Sequence, residues 1–178
     1  MLTTHKEIWI KTGYEIFALL GQNGLKIEPI AKKVGISKSS FYHHFADTDI
    51  FLEYLLEHHI QQSYIMANKE KLAQNIDPEL INILVEHKTD LLFNRQLRVL
   101  RAHKQFNDIL LKSNQITGDY FVMIWVKDIS LKLNKQQLEG IFTLALENFY
   151  LQITPENINY NWLSNYFSNL KKIISNFT

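Results

Sequence analysis

The sequence predicts an all-α fold, and three observations carry that expectation. Clean period-two runs of apolar residues are absent, as are Asn-Gly and Asp-Gly hairpin turns. Only six glycines and three prolines punctuate 178 residues. Apolar residues recur instead at helical spacing, as in Phe51, Leu52, Leu55, Leu56 and Ile60.

The elements follow in order. A first amphipathic helix carries IWIKTGYEIFALLG and ends at Gly21. The stretch Ile30 to Phe45, IAKKVGISKSSFYHHF, reads as two short helices meeting at a tight turn. Ile30, Ala31 and Val34 form the inward face of the first, with Ala31 small where a second helix crosses. Gly35 closes it, because a left-handed C-terminal position costs glycine nothing. Ile36 plugs the corner, Ser37 is placed to cap the next helix, and that helix starts at Lys38. Phe41 and Phe45, four apart, share one face and anchor it. Lys38, Ser39, Tyr42 and His43 face outward. In a helix-turn-helix the second helix lies in the major groove with its N-terminal residues on base edges, so this polar face points to DNA.

An acidic cap near Asp47 then opens a long helix through Lys69. Asn75 to Pro78 breaks the pattern, with Asp77 read as a cap and Pro78 as the first helical residue. One helix is expected to run through Leu80, Ile83, Leu84, Leu91 and Leu92. Further helices are expected over Arg95 to Lys112 and Tyr120 to Leu133. Lys135 to Ile153 and Ile158 to Phe177 each carry a wide apolar stripe, which by itself fits either a monomer core or an interface between subunits.

From about Trp9 to Phe51 the chain resembles the DNA-binding domain of the TetR family of transcriptional regulators. The parts match in order: a helix with Ile16, Phe17 and then Gly21; IEPIAKKVGIS; KSSFYHHF; and the start of a fourth helix. Two positions depart from the family pattern. Lys26 stands where many members cap the second helix with Thr or Ser, and Thr48 stands where many carry a backbone-contacting lysine. The resemblance implies a DNA-facing set of Lys26, Ser37, Lys38, Ser39, Ser40, Tyr42, His43, His44 and Thr48. It divides the chain into a helix-turn-helix domain, 1–47, and a helical regulatory and dimerisation domain, 48–178. It also implies a homodimer through the last two helices, with Leu138, Phe142, Ala145, Phe149, Leu163, Tyr166, Phe167 and Leu170 at the interface. A small-molecule effector is implied in the C-terminal domain, for which Phe93, Arg98, Phe106, Phe121 and Trp125 are the candidate liners. Arg95, Arg98 and Arg101, spaced by three, suit an anionic ligand or form a solvated stripe paired with Asp90 or Asp108.

Composition bounds the rest. Net charge is only +1, but residues 1–47 hold six lysines against four acids while the remainder is net −1. There is no cysteine, so disulfide and thiolate chemistry are excluded. The start MLTTHKEIWIK lacks the pattern of a signal peptide, and no segment approaches the ~20 apolar residues of a membrane span, so a cytoplasmic location is expected. No nucleophile elbow, phosphate-cradling glycine loop or metal-binding helix motif occurs, which argues against an enzyme and against a cofactor. Glu57, His58 and His59 offer ligand chemistry, but adjacent histidines point about 100° apart on a helix and do not grip one metal. The partners expected are double-stranded DNA, a second copy of the chain and an effector. The competing reading is a helical dimeric interaction protein that has lost specific DNA binding.

Overall fold

The computed structural model describes residues 4–129 and 134–175, and among these every regular element is helical. The helices are α1 (His5–Leu20), α2 (Ile27–Val34), α3 (Lys38–His44), α4 (Thr48–Glu70), α5 (Ile81–Glu86), α6 (Lys88–Val99), α7 (Lys104–Ile129), α8 (Lys135–Gln152) and α9 (Tyr160–Ser175). The helix ends expected at Leu133 and Phe177 lie outside the described residues. The described residues divide into two compact units, one drawn from Met1–Ser63 and Thr89–Ser113 and the other from Tyr64–Lys88 and Asn114–Thr178.

In the first unit α1 packs on α2 and α3. Thr4 opens α1 with a capping box: its hydroxyl accepts from the Glu7 amide at 3.2 Å while the Glu7 carboxylate accepts from the Thr4 amide at 2.7 Å. Trp9, Phe41, Phe45 and Phe51 are fully enclosed and meet edge-on or tilted, with ring centroids about 5 Å apart, which suits aromatic quadrupoles better than face-to-face stacking. Asp47 supplies the expected acidic cap of α4, its Oδ1 accepting from the amides of Asp49 and Ile50, both at 2.9 Å.

A buried polar tie joins α1, α4 and α6 within this unit. The Tyr14 hydroxyl donates to Asp90 Oδ1 at 2.6 Å and lies 2.8 Å from His59 Nδ1. Its one proton is committed to Asp90, so His59 Nδ1 carries a hydrogen and donates to Tyr14. Nε2 is then the bare nitrogen, buried without a partner. Phe93 stacks on both rings, 4.4 Å from Tyr14 and 4.6 Å from His59. Burial in this apolar setting lowers the His59 pKa to about 4, against a smaller opposing pull from Asp90.

In the second unit α5 packs on α9. Leu80, Ile81, Leu84, Ile153, Ile158 and Leu163 supply its apolar core. The turn before α5 corrects the expected cap. Asn75, not Asp77, accepts from the Glu79 amide, at 3.3 Å. Asp77 precedes a proline, which disfavours helical backbone at that residue; it is extended at φ −111° and ψ 118°. Its carboxylate instead accepts from the hydroxyls of Ser164 and then Tyr160 on α9, which lowers its pKa.

Two further boundaries differ from expectation. The helix expected through Leu80 and Leu92 breaks at His87, where φ −91° and ψ 24° leave the helical region. The helices expected over Arg95–Lys112 and Tyr120–Leu133 are replaced by α6, which ends at Val99, and by a continuous α7. The stretch left between those two expected helices, 113–119, is helical, and the Ser113 hydroxyl donates to the Leu110 carbonyl at 3.0 Å and accepts from Asn94 at 3.2 Å. Its side-chain bonding is satisfied without opening the helix.

Candidate nucleic-acid interface

The turn between α2 and α3 is built as its residues require. Ile30 is buried and Gly35 caps α2 in the left-handed region at φ 70°. No side chain caps α2 at Lys26, which is exposed and leaves its ammonium available to a phosphate. Ser37 does occupy the N-terminal position of α3 but does not cap it. Its Oγ lies 2.9 Å from the Ser39 Oγ, and that hydroxyl pair takes the place of the expected bond to the helix amides.

With Phe41 and Phe45 inward, α3 presents Lys38, Ser39, Tyr42 and His43 to solvent, Tyr42 at 51% exposure. Ser40 and His44 are half-buried beside them, and Thr48 is exposed at the start of α4. Ser37, Ser39, Ser40, His43 and His44 line an open cleft of about 560 Å³, together with His5 from α1. Lys26, Lys38, Tyr42 and Thr48 stand outside that cleft lining. The cleft holds hydroxyls and imidazoles and no carboxylate, the donor set that suits phosphate oxygens. Burial, followed by the nearby His43, His5 and Lys6, holds the His44 pKa below the usual histidine value.

Lys38 is not free in this state. Its Nζ lies 2.9 Å from Glu28 Oε1 on α2, and the pair raises the lysine pKa and lowers that of the glutamate, first through the hydrogen bond and then through charge. Neither Glu28 nor His5 is evident from sequence. Lys38 follows Glu28 by ten residues across a turn, a spacing that no helical repeat brings together.

A family model of bacterial regulatory proteins, tetR family, matches residues 10–55, the stretch from within α1 to within α4. Over that stretch the chain is similar to the DNA-binding domain of TetR-family regulators. It is 30% identical over 130 residues to the uncharacterized HTH-type transcriptional regulator YerO of Bacillus subtilis (strain 168), covering 73% of this chain and 43% of YerO, so it spans less than half of that relative. It is 22% identical over 162 residues to IcaR of Staphylococcus aureus (strain Newman), a negative transcriptional regulator of the biofilm operon icaADBC, with 83% of each covered. A crystal structure of a transcriptional regulator from Rhodococcus sp. Rha1 shares the fold at TM-score 0.67 and 14% identity, with 96% of each chain covered. A TetR-family regulator from Rhodococcus sp. aligns at TM-score 0.55 and 18% identity over the same shares.

The residues that the TetR resemblance suggests for an effector are drawn from both units. Phe93, Arg98 and Phe106 belong to the first unit, and Phe121 and Trp125 to the second. Phe93 is fully enclosed, and Phe106 packs 6.1 Å from Phe17. Phe121 and Trp125 each lie 5.8 Å from Phe142, with Trp125 buried. Asp90 and Asp108, suggested partners of the arginine stripe, bond Tyr14 and Lys104, the latter at 2.5 Å. Among the described residues no group of three His, Asp or Glu side chains is placed to hold a metal.

The suggested interface residues divide by burial. Leu163, Phe149 and Phe167 are buried within the protomer, whereas Leu138, Phe142, Ala145, Tyr166 and Leu170 are half-buried. Sequence reading passed over Leu144 and Leu151, seven apart on α8 and 73% and 79% exposed, and Ile173 on α9. A stripe drawn by apolar periodicity selects the inward face, so it misses large apolar residues left outside.

Proposed function

We propose that the protein is a sequence-specific DNA-binding transcriptional regulator, acting as a repressor and not an enzyme. In this reading residues 1–47 read DNA, and 48–178 dimerise and take a small-molecule effector. The observation that carries it is the solvent-facing polar side of α3, held in place by Phe41 and Phe45 and extended by the hydroxyl and imidazole cleft. Tyr42, Lys38, Ser39 and His43 supply the groove and phosphate contacts, with Lys26 and Thr48 at the flanks. Repression is favoured by the negative regulation named for IcaR. No described helix is long and apolar enough to cross a membrane, in keeping with action in the cytoplasm.

A homodimer on α8 and α9 supports the reading of a palindromic operator, its half-sites roughly 34–36 Å apart. Exposed Leu144 and Leu151 are the apolar surface that such pairing would cover. Effector binding then acts by favouring one of two arrangements of the paired modules, to the extent that it binds one more tightly.

Selection of bound duplexes from a random pool tests the proposal. A palindrome is expected to be enriched, with affinity falling as salt rises. Lys38→Ala with Tyr42→Ala should abolish or strongly weaken that binding while helicity and dimerisation persist. Leu151→Glu should shift sedimentation to the monomer. No enriched sequence at low salt would instead support a dimeric interaction protein, a reading favoured by the engagement of Lys38 with Glu28.

A further inference from the structure

Glu70, the last residue of α4, is 1% exposed, and both of its carboxyl oxygens are buried without a hydrogen-bond partner. A buried carboxyl ordinarily has its oxygens bonded, because the desolvation of an unmet polar group is costly. The residue borders an open cleft of about 250 Å³ in the second unit, with Lys71, Ala73, Gln74, Tyr120, Met123, Ile124 and Lys127, and its carboxyl lies beneath that surface. The space is enough for a small organic molecule.

We propose that this cleft is a binding site for a singly charged organic amine, with the Glu70 carboxylate as its counter-ion. Several features favour a cation. The chain leaves the carboxyl oxygens unmet, and the Lys127 ammonium is directed to the Gln74 carbonyl at 3.3 Å. Glu70 also closes α4, where the helix dipole already places negative potential. Tyr120 offers an aromatic wall, and Met123 and Ile124 offer an apolar one, the surroundings in which organic cations are held. Lys71 and Lys127 are exposed on the same lining and oppose any cation, so a single charge beside Glu70 is tolerated better than the several of a polyamine.

The site rests on the effector reading only for its consequence; binding itself is separate. Burial raises the Glu70 pKa to about 8, so the carboxyl is mostly protonated at pH 7 and must ionise to pair with a cation. Among the described residues the other titratable groups lining the cleft are Lys71, Tyr120 and Lys127. Apparent affinity for a cation of fixed charge therefore rises about tenfold between pH 7 and pH 9, following the ionised fraction of Glu70.

The test is calorimetric titration of the full chain with benzyltrimethylammonium, whose charge does not change with pH, and with phenylacetate as the opposite charge. Expected are saturable binding of the cation with that pH dependence, no binding of phenylacetate, and loss of both binding and pH dependence in Glu70→Gln. Preference for phenylacetate would make Glu70 a neutral donor and overturn the proposal. Absence of cation binding, or binding by the unaltered protein that ignores pH, would overturn it too. Repeating the titration with the selected operator separates the two readings. Cation binding that leaves DNA affinity unchanged upholds the site and removes effector control through it, whereas a failed cation site leaves the regulator reading untouched.

Discussion

Lys38 is the strongest positive group on the outer side of α3, and Glu28 holds it across the turn at 2.9 Å. Both are exposed, so the pair does little for stability. Its consequence lies in binding. On the operator reading, a phosphate or a guanine edge must compete with Glu28 for the same ammonium, and the carboxylate itself repels the duplex. Glu28→Gln removes both effects while keeping the side chain's length. Operator affinity at low salt should rise roughly 3- to 10-fold, and the logarithmic salt slope should steepen by about one, as expected for one more phosphate contact. Unfolding midpoints should not move. Titrations of labelled operator at several salt concentrations decide this, and equal affinities for the two proteins would show that Lys38 does not meet DNA.

At the scale of the element, the crossing of α1 and α4 depends on Gly13. A Cβ built there would lie 2.3 Å from Phe51 Cζ and 3.3 Å from Leu55 Cδ2. Phe51 is buried among Phe41 and Phe45, so it has no open space to retreat into. Gly13→Ala gains up to ~1 kcal/mol of helix propensity but forces α1 and α4 apart. Overpacking of this kind costs typically 1–3 kcal/mol, and a clash this close belongs at the upper end. The urea midpoint should therefore fall, and an unchanged or higher midpoint would refute the close crossing. The same crossing shows what sequence can disclose. The closure of α2 at Gly35, the start of α3 at Lys38 and the inward Phe41 and Phe45 were legible because each follows a local rule of capping or periodicity. The continuity of α7 was not, because Ser113 meets its partners at Leu110 and Asn94 only after folding. The outward face of α3 was readable for the same local reasons. Glu28, His5 and the unmet carboxyl of Glu70 were hidden, since pairing across a turn and depth of burial are set by tertiary structure.

For the whole molecule, two buried groups set opposing pH dependences, one in each compact unit. The raised pKa of Glu70, about 8 against 4.5, means the folded chain keeps a proton that the unfolded chain releases. Its contribution is fully present below pH 4.5 and is lost as pH rises toward 8. The lowered pKa of His59, about 4 against 6.5, works the other way. Its contribution is fully present above pH 6.5 and is lost as pH falls toward 4. Each costs about 1.4 kcal/mol per pH unit across its window. Between pH 4.5 and 6.5 the two slopes oppose one another, and from 6.5 to 8 Glu70 lowers stability by about 2 kcal/mol. Glu70→Gln removes one side of this balance. Urea unfolding of both proteins across pH 4.5–8.5 should show the variant gaining on the parent by a few kcal/mol as pH rises. The variant should lose more stability than the parent on acidification below pH 6.5, because the His59 loss is no longer offset by Glu70. A parent-minus-variant difference that stays constant with pH would mean Glu70 is hydrated or paired in solution, and both the buried carboxyl and the cation site built on it would fall together.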